Sequence, residues 1–294
     1  MSQPVIVLGK SGYLAGFFLR HFTKQGTAHL ALGRRDLDFT QAEKFRGFLR
    51  SQKPALVINC AGFTGKPNVD ACETQPEACR LGNVTLPLGV AGVCRDLNLP
   101  LAQISSGCIY QGSRDPHDPF SGFREDDPPN FSFRHPPCSF YSGTKAEMEE
   151  RLGGFPNLYI WRLRMPFWHV DEPRNLLSKL IRYPRILEAR NSLSQAEDFV
   201  RAALGLWQSR APYGTYNICN PGSVQTSEIL AKLAKAGIRK TSWELYVNQE
   251  AFRKEGHAPR SACVLDTSKL QACGISLPPV GEALDRAVAR WQLA

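Results

Sequence analysis

Five short apolar runs alternate with stretches of helical spacing through the first 165 residues, and this alternation constrains the fold more than any other feature. "PVIVLG", "AHLALG", "ALVINCAG", "PLAQIS" and "NLYIWRLR" read as strands. Between them, "GYLAGFFLRHFTKQG" reads as an amphipathic helix ending at Gly26, and "TQAEKFRGFLRSQ" as a helix with Thr40 as its N-cap. "LGNVTLPLGVAGVCRDLN" and "SGTKAEMEERLGG" read as two further helices. Strands separated by helices return to one sheet through crossovers, so the chain is expected to be α/β, with a doubly wound parallel sheet.

Residues 111–139 interrupt the rhythm with a Pro-, Asp- and Ser-rich stretch, too long for an ordinary connection and so a candidate functional loop. After residue 166 the pattern loosens. The expected division is a dinucleotide-binding domain over 1–165 and a smaller substrate lobe over 166–294, with part of 190–220 returning to the sheet. Hydrophobic residues make up 43% of the 294, enough for a sizeable core.

Several classes are disfavoured. No run approaches the roughly 18 apolar residues of a membrane span, and the N-terminus lacks the pattern of a secretory signal, so a soluble, cytoplasmic protein is expected. The nine cysteines are odd in number and form no C-x-x-C pair, against both a disulfide framework and a thiolate metal cage. The net charge of +9 is scattered rather than gathered in an arm. A small polyanion explains it as well as nucleic acid does, and no aromatic–basic interleaving supports base stacking.

Three patterns carry chemistry. "VLGKSGYLAG" sets Gly9 and Gly12 between the first strand and first helix, with Ala15 at the third spacing. Such glycines let backbone amides approach a pyrophosphate at a helix N-terminus. The second strand ends in "GRRD", where Arg34 and Arg35 occupy the place of the acid that holds the ribose hydroxyls of NAD. Guanidinium groups suit a ribose phosphate, which favours NADPH. Tyr141 and Lys145, four apart at a helix start, share one face. A nearby ammonium makes a tyrosine a better proton donor and acceptor near neutral pH.

These patterns, together with "INCAGFTGKPNVDACE" and Ser106 after the fourth strand, resemble the extended short-chain dehydrogenase/reductases. The chain is most similar to their dTDP-4-dehydrorhamnose reductase branch and, within it, to plant-type nucleotide-rhamnose synthase/epimerase-reductases. "SGCIY", "SFYSGTKAEMEE", "RLRMP", "EPRNLLSKL", "GTYNICNPG" and "APRSACVLDTSKL" extend the likeness from residue 9 to residue 269.

The resemblance implies a Rossmann-type fold, an NADPH cofactor, no metal and a nucleotide-diphosphate-sugar substrate, and it is compatible with a homodimer. Ser106, Tyr141 and Lys145 would form the reducing triad. Gly9, Ser11, Gly12, Tyr13, Leu14, Asn59, Ala61 and Gly62 would bind the cofactor, with Arg34, Arg35, Tyr141 and Lys145. Thr64, Asn175 and Arg260 would contact substrate. Cys108 and Lys179 match the acid–base pair of the epimerase-reductases. Asp70 and Glu73 match the "VDxxE" pattern, either in the site or pinning a loop. Two departures are Ala15 for a third glycine and an insertion around "SFRHPPC", which leaves the substrate mouth undefined. The sugar-nucleotide dehydratases carry an acid–base pair where this chain has Gly107 and Cys108, so dehydration is disfavoured. A non-catalytic NADP-binding regulatory subunit is the alternative.

Overall fold

The structure is a computed structural model and describes residues 3–66, 68–238 and 242–293. β1 (Val5–Leu8) is the run VIVL, with all four residues buried. Consecutive buried aliphatic residues suit a strand covered on both faces. It pairs in parallel with β2 (His29–Leu32) on one side and β3 (Leu56–Asn59) on the other, Val5 standing opposite His29 and Leu56. β4 (Leu101–Ser106) continues the parallel ladder beside β3. Next in the chain come β5 (Leu158–Leu163), β6 (Arg185–Leu187), β7 (Arg190–Leu193), β8 (Gly214–Asn217), β9 (Asn220–Gln225) and β10 (Glu244–Tyr246). The main sheet has the order β2-β1-β3-β4-β5-β8. From the β1–β3 pair the chain winds outward in both directions, and the crevice beyond the carboxyl ends of such a pair is where ligands of doubly wound sheets bind.

Two compact units interleave along the sequence. The first comprises residues 1–106, 132–161 and 212–215; the second comprises 107–131, 162–211 and 216–294.

The first unit carries α1 (Tyr13–Gln25), α2 (Ala42–Gln52), α3 (Ala71–Thr74), α4 (Pro76–Arg80), α5 (Leu86–Asp96) and α6 (Phe140–Leu152). Its core joins Ile6, Leu8 and Val57 of the sheet to Phe45, Leu49, Val90, Val93, Met148 and Leu152 of the helices. Phe45 and Leu49, four apart, turn the one apolar face of an otherwise polar α2 inward. Removing the fully buried Phe45 ring would cost about 3–5 kcal/mol. Gly26 closes α1 at φ 65°, donating its amide to Thr23 O, a conformation glycine adopts without steric penalty.

Two expectations are corrected here. Thr40 does not cap α2: its hydroxyl bonds to the Asp38 carboxylate, and Gln41 takes the cap position without a side-chain bond. The helix expected over residues 81–98 opens instead as a π-helical turn, Leu81–Thr85, continuous with α4 before and α5 after. Asn83 in that turn is fully buried.

The second unit carries α7 (Leu176–Arg182), α8 (Ala196–Gln208), α9 (Thr226–Lys235), α10 (Gln249–Lys254), α11 (Ser268–Ala272) and α12 (Val280–Ala289), with two small sheets, antiparallel β7–β9 and parallel β6–β10. Leu177, Leu193, Leu230, Leu233 and Leu284 centre its core. Glu228 and Gln225 form a capping box at the start of α9. Among the described residues no helix is long and apolar enough to cross a membrane.

Candidate active site

In the first unit the glycine turn has the shape a pyrophosphate needs. Gly9 has φ +82°, and a Cβ there would stand 2.8 Å from the Ala61 backbone. Gly12 donates its amide to Gly9 O at 2.8 Å, and a Cβ on it would meet that oxygen at 3.1 Å. Gly9 has no room for a side chain, and at Gly12 one would press on the Gly9 carbonyl. Ser11, Tyr13 and Leu14 complete the turn and the start of α1, whose first turn holds no acidic residue and whose N-cap has no side-chain bond. A thirteen-residue helix with an uncapped, acid-free N-terminus behind a turn with glycine at both ends fits a dinucleotide diphosphate.

The facing strand is fixed by its own side chains. Asn59 is fully buried; its amide donates to Gln103 Oε1 at 2.8 Å and accepts from Ala61 N at 3.1 Å. Gly62 and Thr64 follow in the loop held by Asn83, whose amide accepts from Phe63 N at 2.9 Å and donates to Phe63 O at 2.8 Å. The same nitrogen reaches Thr144 Oγ1 at 3.3 Å, so one buried amide joins this loop to α6. Asn83 was missed from sequence. The signal was a polar residue inside an apolar helical stretch, where propensity disfavours it.

Arg34 and Arg35 are exposed just beyond β2. Asp36, passed over in sequence, accepts from Gly33 N and from Lys10 Nζ, both at 2.7 Å. Those bonds, the lysine's first, hold its carboxyl below the usual carboxylate value. An acid here would repel a ribose phosphate, and Lys10 offsets its charge.

Ser106 ends β4, and α6 brings Tyr141 and Lys145 to one face. Ser139 caps α6 by accepting from Ser142 N, and Glu73 accepts from Phe140 N at 2.7 Å. Glu73 therefore anchors the helix start, the loop-pinning alternative for that residue. Lys145 is 6% exposed; its Nζ donates to Ile104 O at 3.4 Å and lies 5.9 Å from the Tyr141 ring centroid. A buried ammonium one turn from a tyrosine, beside the strand that carries Ser106, is an arrangement able to hold and move a proton.

The second unit carries Arg174, Lys179 and Arg260. Burial, followed by the charges of Arg174 and Arg260, pushes the Lys179 ammonium below the usual lysine value. Positive charges that act on one another in this way suit a polyanion, and Arg174 was not among the residues singled out from sequence. Arg260 is aimed by its surroundings. Gln249 bonds both its N–H and its carbonyl, and the guanidinium lies 5.2 Å from the Phe252 ring centroid.

Asn175 is a correction. It is fully buried, its oxygen accepts from Trp168 N and Leu177 N, and its nitrogen donates to Trp168 O and Val170 O. All four hydrogen-bonding positions of the amide are used, so Asn175 caps α7 and shapes the preceding loop rather than binding the diphosphate. Cys108 sits in a single 3₁₀ turn, Gly107–Ile109, and is 6% exposed.

Comparison with known proteins places this geometry in a family. Residues 3–293 match the family described as the RmlD substrate binding domain. A bifunctional dTDP-4-dehydrorhamnose 3,5-epimerase/dTDP-4-dehydrorhamnose reductase of Arabidopsis thaliana is 32% identical over 281 residues, covering 95% of this chain and 90% of that protein. A trifunctional UDP-glucose 4,6-dehydratase/UDP-4-keto-6-deoxy-D-glucose 3,5-epimerase/UDP-4-keto-L-rhamnose-reductase of the same plant is 33% identical over 272 residues, but the chain spans only 39% of its length. The crystal structure of the L780 UDP-rhamnose synthase from Acanthamoeba polyphaga mimivirus superposes with a TM-score of 0.87 at 25% identity, covering 98% of this chain and 99% of that one. With its doubly wound sheet, its turn from Gly9 to Gly12 and its Tyr141–Lys145 pair, the chain belongs to the RmlD substrate-binding-domain family.

Proposed function

We propose that this chain reduces a nucleotide-linked 4-keto-6-deoxyhexose with NADPH and first inverts the carbons beside the ketone. The observation that carries the reduction is the buried Lys145 ammonium, held by Ile104 O one helical turn from Tyr141. The glycine turn at Gly9 and Gly12, the strand end at Asn59, Ala61 and Gly62, and Arg34 and Arg35 would hold NADPH.

Bound NADPH supplies the hydride that converts the C4 ketone to an alcohol. Tyr141 gives its hydroxyl proton to the C4 oxygen, and Ser106 donates a hydrogen bond that holds that oxygen in line. Lys145 holds the nicotinamide ribose and stabilises the tyrosinate left behind. Arg260, with Arg174, takes the substrate diphosphate; Thr64 contacts the sugar. For the inversion, the ketone acidifies the protons on C3 and C5. The Cys108 thiolate removes one of these to give an enolate, and Lys179 returns a proton from the opposite face. No electrons change hands, and one proton is exchanged for another at each centre. The charges of Arg174 and Arg260 acting on the buried Lys179 and the 32% identity to the bifunctional plant protein support this second half.

The test is incubation with NADPH and UDP-, dTDP- and GDP-linked 4-keto-6-deoxyglucose, following NADPH oxidation and identifying products by NMR. Turnover of at least one substrate to an inverted 6-deoxyhexose is expected. NADPH binding without turnover of any of the three would favour the regulatory-subunit alternative.

A further inference from the structure

Cys108 and Arg260 lie 152 positions apart in sequence, yet one continuous ladder inside the second unit ties their segments together. Ser261 Oγ donates to Tyr110 O at 2.6 Å, and Ala262 N donates to Gln111 Oε1 at 3.0 Å. Gly112 N donates to Ala262 O at 2.6 Å, and Val264 N to Gly112 O at 3.2 Å. Cys263 Sγ donates to Gly107 O at 3.1 Å. Gly107 packs directly under Leu265, and a Cβ there, 2.6 Å from Leu265 Cδ1, would displace the leucine side chain. Gly107 O and Tyr110 O bracket the turn that carries Cys108, and both are held by the segment that begins at Arg260.

The other side of that segment is equally fixed. Ser261 O accepts from the buried Arg164, which also donates to Asn191 Oδ1, and Asn191 Oδ1 accepts from Cys263 N at 3.1 Å. Gln249 clasps the Arg260 backbone at 2.6 and 3.2 Å. Ser261 joins the two ends: it follows Arg260 in the chain and reaches the Cys108 turn through its hydroxyl. Its carbonyl and peptide bond index Arg260, and its hydroxyl indexes the Cys108 turn.

We propose that Ser261 is a positioning residue that sets the Cys108 thiol in register with the diphosphate grip of Arg260. The inference rests on the reading in which Arg260 meets the diphosphate and Cys108 removes the proton. The diphosphate and the sugar carbons are joined by a short covalent tether. A fixed distance between the residue that grips one and the residue that deprotonates the other therefore sets the thiol against C3 and C5. Misplacement at this level lowers the chance of reaction rather than the affinity for the nucleotide.

The test uses the whole 294-residue chain, deuterated water and the nucleotide-linked 4-keto-6-deoxyglucose that the wild type accepts. Deuterium entry at C3 and C5 is read without NADPH, and reduction is read separately on a ketone supplied already epimerised. Ser261→Ala should slow deuterium entry about fivefold, the equivalent of one ordinary hydrogen bond, with KM and the reduction rate little changed. Ser261→Thr, which keeps the hydroxyl, should restore it. Gln249→Ala, which frees only the Arg260 end, should raise KM about fivefold and leave the ratio of exchange to reduction alone. A merely structural Ser261 would lower exchange and reduction together, and that result would overturn the proposal. So would unchanged exchange in Ser261→Ala beside an exchanging wild type. No exchange in the wild type would instead remove the epimerase reading, and this proposal with it.

Discussion

Replacing Asn83 by alanine should loosen the cofactor loop and the α6 helix at once. The side chain is fully buried and makes two bonds to Phe63, at 2.9 and 2.8 Å, and one to Thr144 at 3.3 Å. A net hydrogen bond contributes about 1 kcal/mol, and a buried backbone group left unmet costs about 1–3 kcal/mol, so a loss of about 3 kcal/mol follows. At about 3 °C per kcal/mol for a chain of this size, Tm should fall by about 9 °C. NADPH should also bind about tenfold more weakly, equivalent to about 1.4 kcal/mol, because the Gly62–Thr64 loop loses its anchor. Differential scanning fluorimetry and isothermal titration calorimetry read the two effects. A Tm within about 2 °C of the wild type together with unchanged NADPH affinity would refute the argument, since the loop would then be held by something other than Asn83.

Tyr141→Phe should lower kcat by about 10²–10⁴-fold while NADPH titration stays near normal, because only the proton donor is lost; near-native turnover would contradict its role. The Arg34→Ala, Arg35→Ala double variant should lose most of the NADPH-over-NADH preference in kcat/KM, and an unchanged preference would remove these exposed guanidiniums from cofactor choice. Deuterium entry should fall as pH rises through the lowered Lys179 value, below the ordinary 10.5, because an acid must be protonated to act; a limb only at 10.5 or above would contradict the burial argument. The sign for stability is opposite. The folded state binds fewer protons than the unfolded state between the lowered value and 10.5, so the Lys179 contribution to stability improves as pH rises through that window.

How far the sequence speaks depends on the range of the interaction. The α1 helix is legible because Gly12 and Gly26 bracket it and its apolar spacing is local. The parallel order of β1–β4 follows from crossovers, whose handedness and length are general rules. Thr40 reads as a cap, but Asp38, two residues earlier, competes for its hydroxyl. The π-helical turn at Leu81–Thr85 leaves no periodic signature over five residues. Lys10 and Asp36 meet across 26 positions, and Glu73 meets the start of α6 across 67, so neither contact is visible in a local pattern. Asn175 illustrates the reverse error. An asparagine before a helix suits an N-cap and a phosphate ligand equally, and only its four committed hydrogen bonds separate the two.

The central claim is that one chain both inverts and reduces the sugar, and the direct measurement is a single reaction in deuterated water with NADPH. The wild type should yield a 6-deoxyhexose nucleotide carrying deuterium at the inverted carbons, with unlabelled hydride delivered to C4. Cys108→Ala should give no carbon-bound deuterium at C3 or C5 yet still reduce a ketone supplied already epimerised. A wild-type product reduced at C4 without deuterium at either carbon, or a Cys108→Ala product labelled like the wild type, would contradict the account.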